Sequence, residues 1–199
     1  IDILCKRNSI VYGHKVCLSF GRTGLVLAAE VLRGNPADSM LTATALKQVQ
    51  SNTGRTPHDA AMDRGFASKQ NVVDVKELGV VRVDFGEGRG IDTQKACGNR
   101  RIRRKMRCFR AGAEGLISWL KRGLKLGESR WKGAEGFVSY VWAVIVTACI
   151  QAIARSGEQQ RGGDEKGRAP DPRVWVGGTM SAELRNSKPI QDIGTLAAD

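Results

Sequence analysis

The sequence predicts an α/β domain with a mixed sheet flanked by helices. Three observations predict it: two β-rich runs joined by a short turn near the N-terminus, short apolar runs alternating with helical patterns after them, and two long helical patterns that close the domain. The order is hairpin, helix, strand, helix, strand, then two helices. It supports the class and leaves the topology open. At 199 residues with 41% hydrophobic content, the chain can bury a core of ordinary size, so wholesale disorder is excluded. Its 24 glycines follow no period, and 5 cysteines are too few and too odd a number for a disulfide scaffold.

Each element has a local cause. Residues 10–20 (IVYGHKVCLSF) and 24–33 (GLVLAAEVLR) flank the turn Gly21-Arg22-Thr23 and read as an antiparallel hairpin. The loop 34–39 ends on Asp38 and Ser39, either of which could cap a helix from about 40 to 50; Asn52 and Gly54 stop it. Residues 58–63 (HDAAMD) suit a short buried strand ending in Asp63. A helix follows over 67–78, ended by Gly79, and 80–85 (VVRVDF) alternates as a strand. The glycine-rich, polar stretch 86–99 reads as a loop. GEGRG at 86–90 has no helix start or Walker lysine in register, which excludes a phosphate cradle there.

From 100 to 122, Ile102, Met106, Phe109, Ala113, Leu116, Ile117 and Leu120 recur at helical spacing. A second helix spans about 134–155. Within it, Phe137 to Ala154 carries no charge, and its length sits at the lower limit for a membrane span. Ser139, Tyr140, Thr147 and Gln151 favour a buried core helix instead. Trp119, Trp131 and Trp142 are assigned to the core rather than to stacking on bases, although Trp131, in a basic stretch, could do either. The two histidines are read as structural. Residues 156–199 are Gly/Pro-rich and mixed in charge, and are expected to form a disordered tail behind a domain of residues 1–155. Cysteine spacing gives no C-x-x-C pair and no zinc site, and points to reduced thiols in the cytoplasm. The chain opens on Ile1 without a signal peptide, and is expected to be cut at its N-terminus.

Charge is concentrated. The formal net charge is +12, and residues 95–155, with 14 basic and 3 acidic groups, hold nearly all of it. Seven basic residues fall in the eleven from Arg100 to Arg110: Arg100, Arg101, Arg103, Arg104, Lys105, Arg107 and Arg110. That density exceeds an ordinary solvated face and predicts contact with a phosphate backbone. On the same helix Arg110, Glu114 and Lys121 point within roughly 40° of one another. Glu114 is the only acid between Asp92 and Glu128. A surface salt-bridge ladder would look the same. However, a helix-borne Glu114 and a strand-end Asp63 could share Mg²⁺-type ions, which favour carboxylate oxygens. Arg110 and Lys121 would then orient a phosphate.

Four segments carry a family resemblance: YGHKVCL at 12–18, RGNPADS at 33–39, AAMDRGFAS at 60–68 and FRAGAEGLISWLKR at 109–122. Together they resemble bacterial insertion-sequence transposases of the DDE type, from about Ile1 to Arg155. The resemblance implies an RNase H-like sheet, here incomplete at the N-terminus, with Asp63 and Glu114 as catalytic metal ligands. It implies Mg²⁺ or Mn²⁺ as cofactor, and double-stranded DNA (transposon ends and target) as partner. It also implies a cytoplasmic, nucleoid-associated location without membrane contact, and admits a homodimer. Arg110 and Lys121, with Arg100, Arg101, Arg103, Arg104, Lys105 and Arg107, would contact DNA. The implied activity is DNA-mediated transposition: phosphodiester hydrolysis, then strand transfer. Two departures stand out. Arg107 occupies the family's usual tyrosine position, and Arg64 follows Asp63 where many relatives have a small residue. The first catalytic aspartate belongs on a strand before the hairpin, where only Asp2 is available, and it is expected upstream of Ile1. A catalytically silent copy is therefore expected, with a non-catalytic DNA-binding remnant using residues 95–132 as the alternative.

Overall fold

The computed structural model describes residues 2–6, 9–86, 90–129, 131–161 and 173–184. In chain order the elements are β1 (Asp2–Lys6), β2 (Ser9–Gly21), β3 (Val26–Leu32), a 3₁₀ turn Asp38–Leu41 and α1 (Thr42–Thr53). Next come β4 (Asp59–Ala61), a 3₁₀ turn Arg64–Phe66, α2 (Lys69–Glu77) and β5 (Arg82–Asp84). The chain continues through α3 (Thr93–Cys97), α4 (Arg100–Arg122), β6 (Glu128–Ser129), α5 (Gly133–Arg161) and β7 (Arg173–Leu184). The result is a mixed α/β fold.

The sheet runs β1-β2-β7-β4-β5, with β3 also on β2 and β6 also on β7. Strand β2 is antiparallel to β1, β3 and β7, whereas β7, β4 and β5 run parallel. Side chains alternate across the sheet as strand geometry requires. Val16, Leu18, Phe20 and Ala61 face one core with Met106, Ala113, Leu120, Phe137, Val141 and Ile145 of α4 and α5. Cys17, Ala60 and Met62 face the other with Ala45, Leu46, Val49 and Val75 of α1 and α2. Helices thus cover both faces.

Local signals explain the boundaries. Ser68 caps α2 by accepting from the Asn71 N–H at 2.9 Å, and Asn99 caps α4 by accepting from Ile102 N–H at 2.9 Å. Gly54 ends α1 at φ 67°, a left-handed conformation that favours glycine.

Four expectations need correction. Neither Asp38 nor Ser39 caps a helix: the residue before the 3₁₀ turn is Ala37, the residue before α1 is Leu41, and neither end carries a side-chain cap. The stretch 86–99 contains a short helix, α3. α5 is not wholly buried, since Val138, Trp142, Val146, Ile150 and Ile153 lie exposed on one face. By length and composition α5 could cross a membrane; its opposite face, with Phe137, Val141, Val144, Ile145 and Ala148, is built into the core. Of the tryptophans assigned to the core, only Trp119 packs against it, while Trp131 is 50% exposed.

The largest difference concerns the C-terminal tail. Residues 173–184, expected to be disordered, form β7 in the centre of the sheet. It pairs antiparallel with β2 from Gly13↔Glu183 to Gly21↔Val174, and parallel with β4 from Asp59↔Arg173 to Ala61↔Trp175. Residues 162–172 and 185–199 lie outside the described residues.

Candidate active site

The site lies at the C-terminal ends of the parallel strands β4 and β5, where open α/β sheets place their ligands. Two residues past β4, Asp63 is in extended conformation (φ −67°, ψ 154°) and leads into the Arg64–Phe66 turn. Met62 N–H donates to Asp84 C=O at 2.8 Å, extending the β4–β5 pairing towards Asp63. A side-chain knot fixes the turn. Buried Asn71 donates through Nδ2 to Phe66 C=O (2.7 Å), Thr42 Oγ1 (2.7 Å) and Ser39 C=O (2.8 Å). This ties the Asp63 turn to the start of α1. At Gly65 even a Cβ would collide with Asp38, so the Asp38 loop lies directly against the same turn.

α4 supplies the other side. Its spacing puts Arg110, Glu114 and Lys121 on one stripe, as anticipated. Glu114 is 59% exposed, and Arg110 Nε lies 3.9 Å from its Oε1. The Arg110 guanidinium also faces Asp84 Oδ2 at 3.6 Å, and Asp84 is only 2% exposed. Asp84 Oδ1 accepts from Gly86 N–H at 3.1 Å. Gly86 sits at φ 77°, and a Cβ there would stand 2.9 Å from Arg110 Nη1, so the close approach needs glycine. Arg110 Nη1 is buried without a hydrogen-bond partner.

Glu114 and Arg110 both act on the Asp63 carboxyl. Burial first, then the Glu114 carboxylate, push the Asp63 carboxyl above its ordinary range; Arg110 opposes this, and Asp38 adds to it. Asp38 is in turn paired with Lys15 at 2.5 Å, and Lys15 donates to Pro36 C=O at 2.8 Å. Lys121 is half-buried near the end of α4, about 10 Å along the helix from Glu114. Arg100, Arg101, Arg104, Lys105 and Arg107 are exposed on the first two turns of α4, and Arg103 is partly buried. Among the described residues, no group of three His, Cys, Asp or Glu side chains is placed to hold a metal.

Sequence reasoning missed Asp84, Asp38 and Lys15. Asp84 ends a short apolar strand just as Asp63 does, a signal available but unused. The Lys15–Asp38 pair links β2 to a loop 23 residues on and leaves no periodic trace. A second titratable cluster lies at the other end of β4. There Asp59 is held by Arg82 at 2.6 and 2.9 Å and contacts His58 Nδ1 at 2.7 Å, a structural tie between β4 and β5. His14 packs against Phe137 in a tilted arrangement, ring centroids 5.0 Å apart, which fits its structural reading.

The raised Asp63 pKa has a stability consequence. A carboxyl whose folded pKa exceeds its unfolded value contributes stability below the unfolded pKa, and loses it as pH rises through the folded pKa. Asp63→Asn should therefore raise Tm at pH 7 and give no gain near pH 3. Thermal melts at both pH values check this; an Asp63→Asn variant that melts lower than the parent at pH 7 would refute it.

A protein-family model, the transposase DDE domain, matches residues 6–150. That is well over half of the chain, and the chain belongs to this family. Comparison with curated proteins and with solved structures gives no match. Membership supports a transposase role, with DNA as the substrate the family acts on and divalent metal as its usual cofactor.

Proposed function

We propose that this domain is RNase H-like and serves DNA-mediated transposition, through metal-dependent phosphodiester hydrolysis and strand transfer at transposon ends. One observation carries the reading: Asp63 follows a parallel-strand end, and Glu114, on the most basic helix, is near enough for its carboxylate to push the Asp63 carboxyl up. Two carboxylates whose repulsion is only partly relieved suit a hard cation such as Mg²⁺ or Mn²⁺, completed by substrate phosphate and water. When bound, the ion would supply Lewis-acid activation of an attacking oxygen and charge stabilisation of the leaving one.

The chain's own groups do the rest. Arg110, already held against the site by Asp84, places a guanidinium where a phosphate oxygen would approach Glu114. Lys121 extends the positive stripe along α4. Arg100, Arg101, Arg103, Arg104, Lys105 and Arg107 at its N-terminal end contact the duplex backbone. The protein works on the bacterial nucleoid in the cytoplasm and presents transposon ends and target to one centre, with a homodimer as its assembly.

Affinity for a generic duplex should fall steeply with salt, because each neutralised phosphate releases counterions. Replacing Arg100, Arg104 and Arg107 by Gln should flatten the log K against log salt slope by about 0.9 for each phosphate no longer neutralised. Fluorescence anisotropy over a KCl series checks this, and a flat response in the parent chain would count against phosphate contact.

The second reading, a non-catalytic DNA-binding remnant using residues 95–132, draws on Arg110. Its guanidinium is engaged by Asp84 and Glu114 within the space a cation would share. Metal-dependent nicking that Glu114→Gln abolishes separates the readings; DNA binding is common to both.

A further inference from the structure

Helix α5 buries one side and leaves the other open. Phe137, Val141, Val144, Ile145 and Ala148 face the core. Val138, Trp142, Val146, Ile150 and Ile153 stand exposed, Trp142 by 46% and the two isoleucines by 61% each. The first four recur every fourth residue and form a ridge; with Ile153 the stripe is about 22 Å long. The row beside the ridge is small: Ser139, Ala143 and Thr147, all exposed. Thr147 Oγ1 donates to Ala143 C=O at 2.8 Å, so its hydroxyl is satisfied within the helix and can enter an apolar contact. No charge lies between Glu135 and Arg155. With about half of each large side chain open, the patch reaches roughly 500 Å², the size at which an exposed apolar surface marks a contact.

From this ridge and groove we propose that the open face of α5 is a two-fold contact between two copies of this chain. The proposal rests on the homodimer reading above, to which it adds the surface, and does not depend on the Asp63–Glu114 centre. A face without charge offers nothing to a phosphate backbone. Helices that lie on lipid carry Lys and Arg beside the apolar stripe, and neither occurs from Gly133 to Ala154. A second copy fits on three counts. Two-fold contacts need a self-complementary patch, and the large ridge of one helix can seat along the small row of the other, reciprocally. Two chains of net charge +12 repel each other, and on this face they touch without bringing charges together. The two patches with their small flanks bury roughly 1,200 Å² in all, the lower bound of a specific interface, which suits a reversible dimer anchored by Trp142. Val146, in the middle of the stripe, then lies beside its own counterpart across the axis.

The test is sedimentation velocity of the full chain over a concentration series up to a few hundred micromolar. The parent chain should dimerise reversibly, and more tightly as salt screens the like charges. Val146→Glu and Val146→Lys should each weaken association at least about thirtyfold, because like charges meet across the axis. An equimolar mixture of the two variants should dimerise again. Circular dichroism confirms that each variant is folded, and Trp142→Ala, with the same expected loss, stands in if a charge at 146 impairs folding. Undiminished association of the folded variants would leave the homodimer reading standing and overturn this surface. A mixture that stays monomeric would overturn the two-fold arrangement. A parent chain that is monomeric throughout would overturn the homodimer reading together with the surface. Flotation of the parent chain, but not of Val146→Glu, with neutral phosphatidylcholine vesicles would assign the face to lipid and overturn the proposal as well.

Discussion

A chain ending at Arg161 should not fold cooperatively. Removing residues 162–199 deletes β7, the strand between β2 and β4, and leaves a long edge on β2 and a three-residue edge on β4 unpaired. β2 would lose β7 from Gly13 to Gly21 and keep β3 on its other edge, and β4 would keep only β5. Unpaired backbone donors and acceptors are costly when buried and template aggregation when exposed. A domain of this kind is held by only about 5–15 kcal/mol, a small margin against the loss of its central strand. The shortened chain should show no sigmoidal urea transition and should aggregate. A synthetic peptide of residues 173–184 added in trans should partly restore the transition by strand addition. A truly disordered tail predicts the opposite, an unchanged midpoint after deletion.

Arg110→Ala should be the most damaging single change at the site. Asp84 is nearly inaccessible to water, and the Arg110 guanidinium is a cation facing it at 3.6 Å. Taking away one partner of a buried pair leaves an uncompensated charge and costs about 3–5 kcal/mol. The 3.6 Å separation and the Gly86 N–H bond to Asp84 place the expected loss near the lower figure. Urea denaturation reads it directly. Adding Asp84→Asn should return much of the stability, because the stranded charge is gone. DNA affinity should drop far less, since the exposed basic residues of α4 remain. A loss below about 1 kcal/mol would show that the pair contributes no more than an exposed one.

The sequence displays this fold where structure is local. Helix α4 could be read from the spacing of Met106, Ala113 and Leu120, and its face of Arg110, Glu114 and Lys121 followed from helical geometry alone. The end of α2 was legible at Gly79, which adopts φ 90° after the helix. Asp63 was legible because HDAAMD is short, apolar and closed by an acid. What failed was non-local. β7 finds β2 and β4 more than a hundred residues away, and VWVGGTMSAEL carries two glycines and lies between polar stretches, so composition argued for disorder. The Lys15–Asp38 and Arg110–Asp84 pairs join separate elements and have no period. α5 is apolar on both faces, so its sequence could not distinguish the buried face from the exposed one.

The fold that positions the centre depends on β7 lying between β2 and β4, where their ladder reaches Ala61, two residues before Asp63. Backbone hydrogen exchange across residues 173–184 in the full chain tests that placement most directly. Amides of a central strand exchange only through large-scale opening, so this segment should be protected as strongly as residues 15–20 of β2. Exchange at the rate of an unstructured peptide, while β2 stays protected, would contradict it.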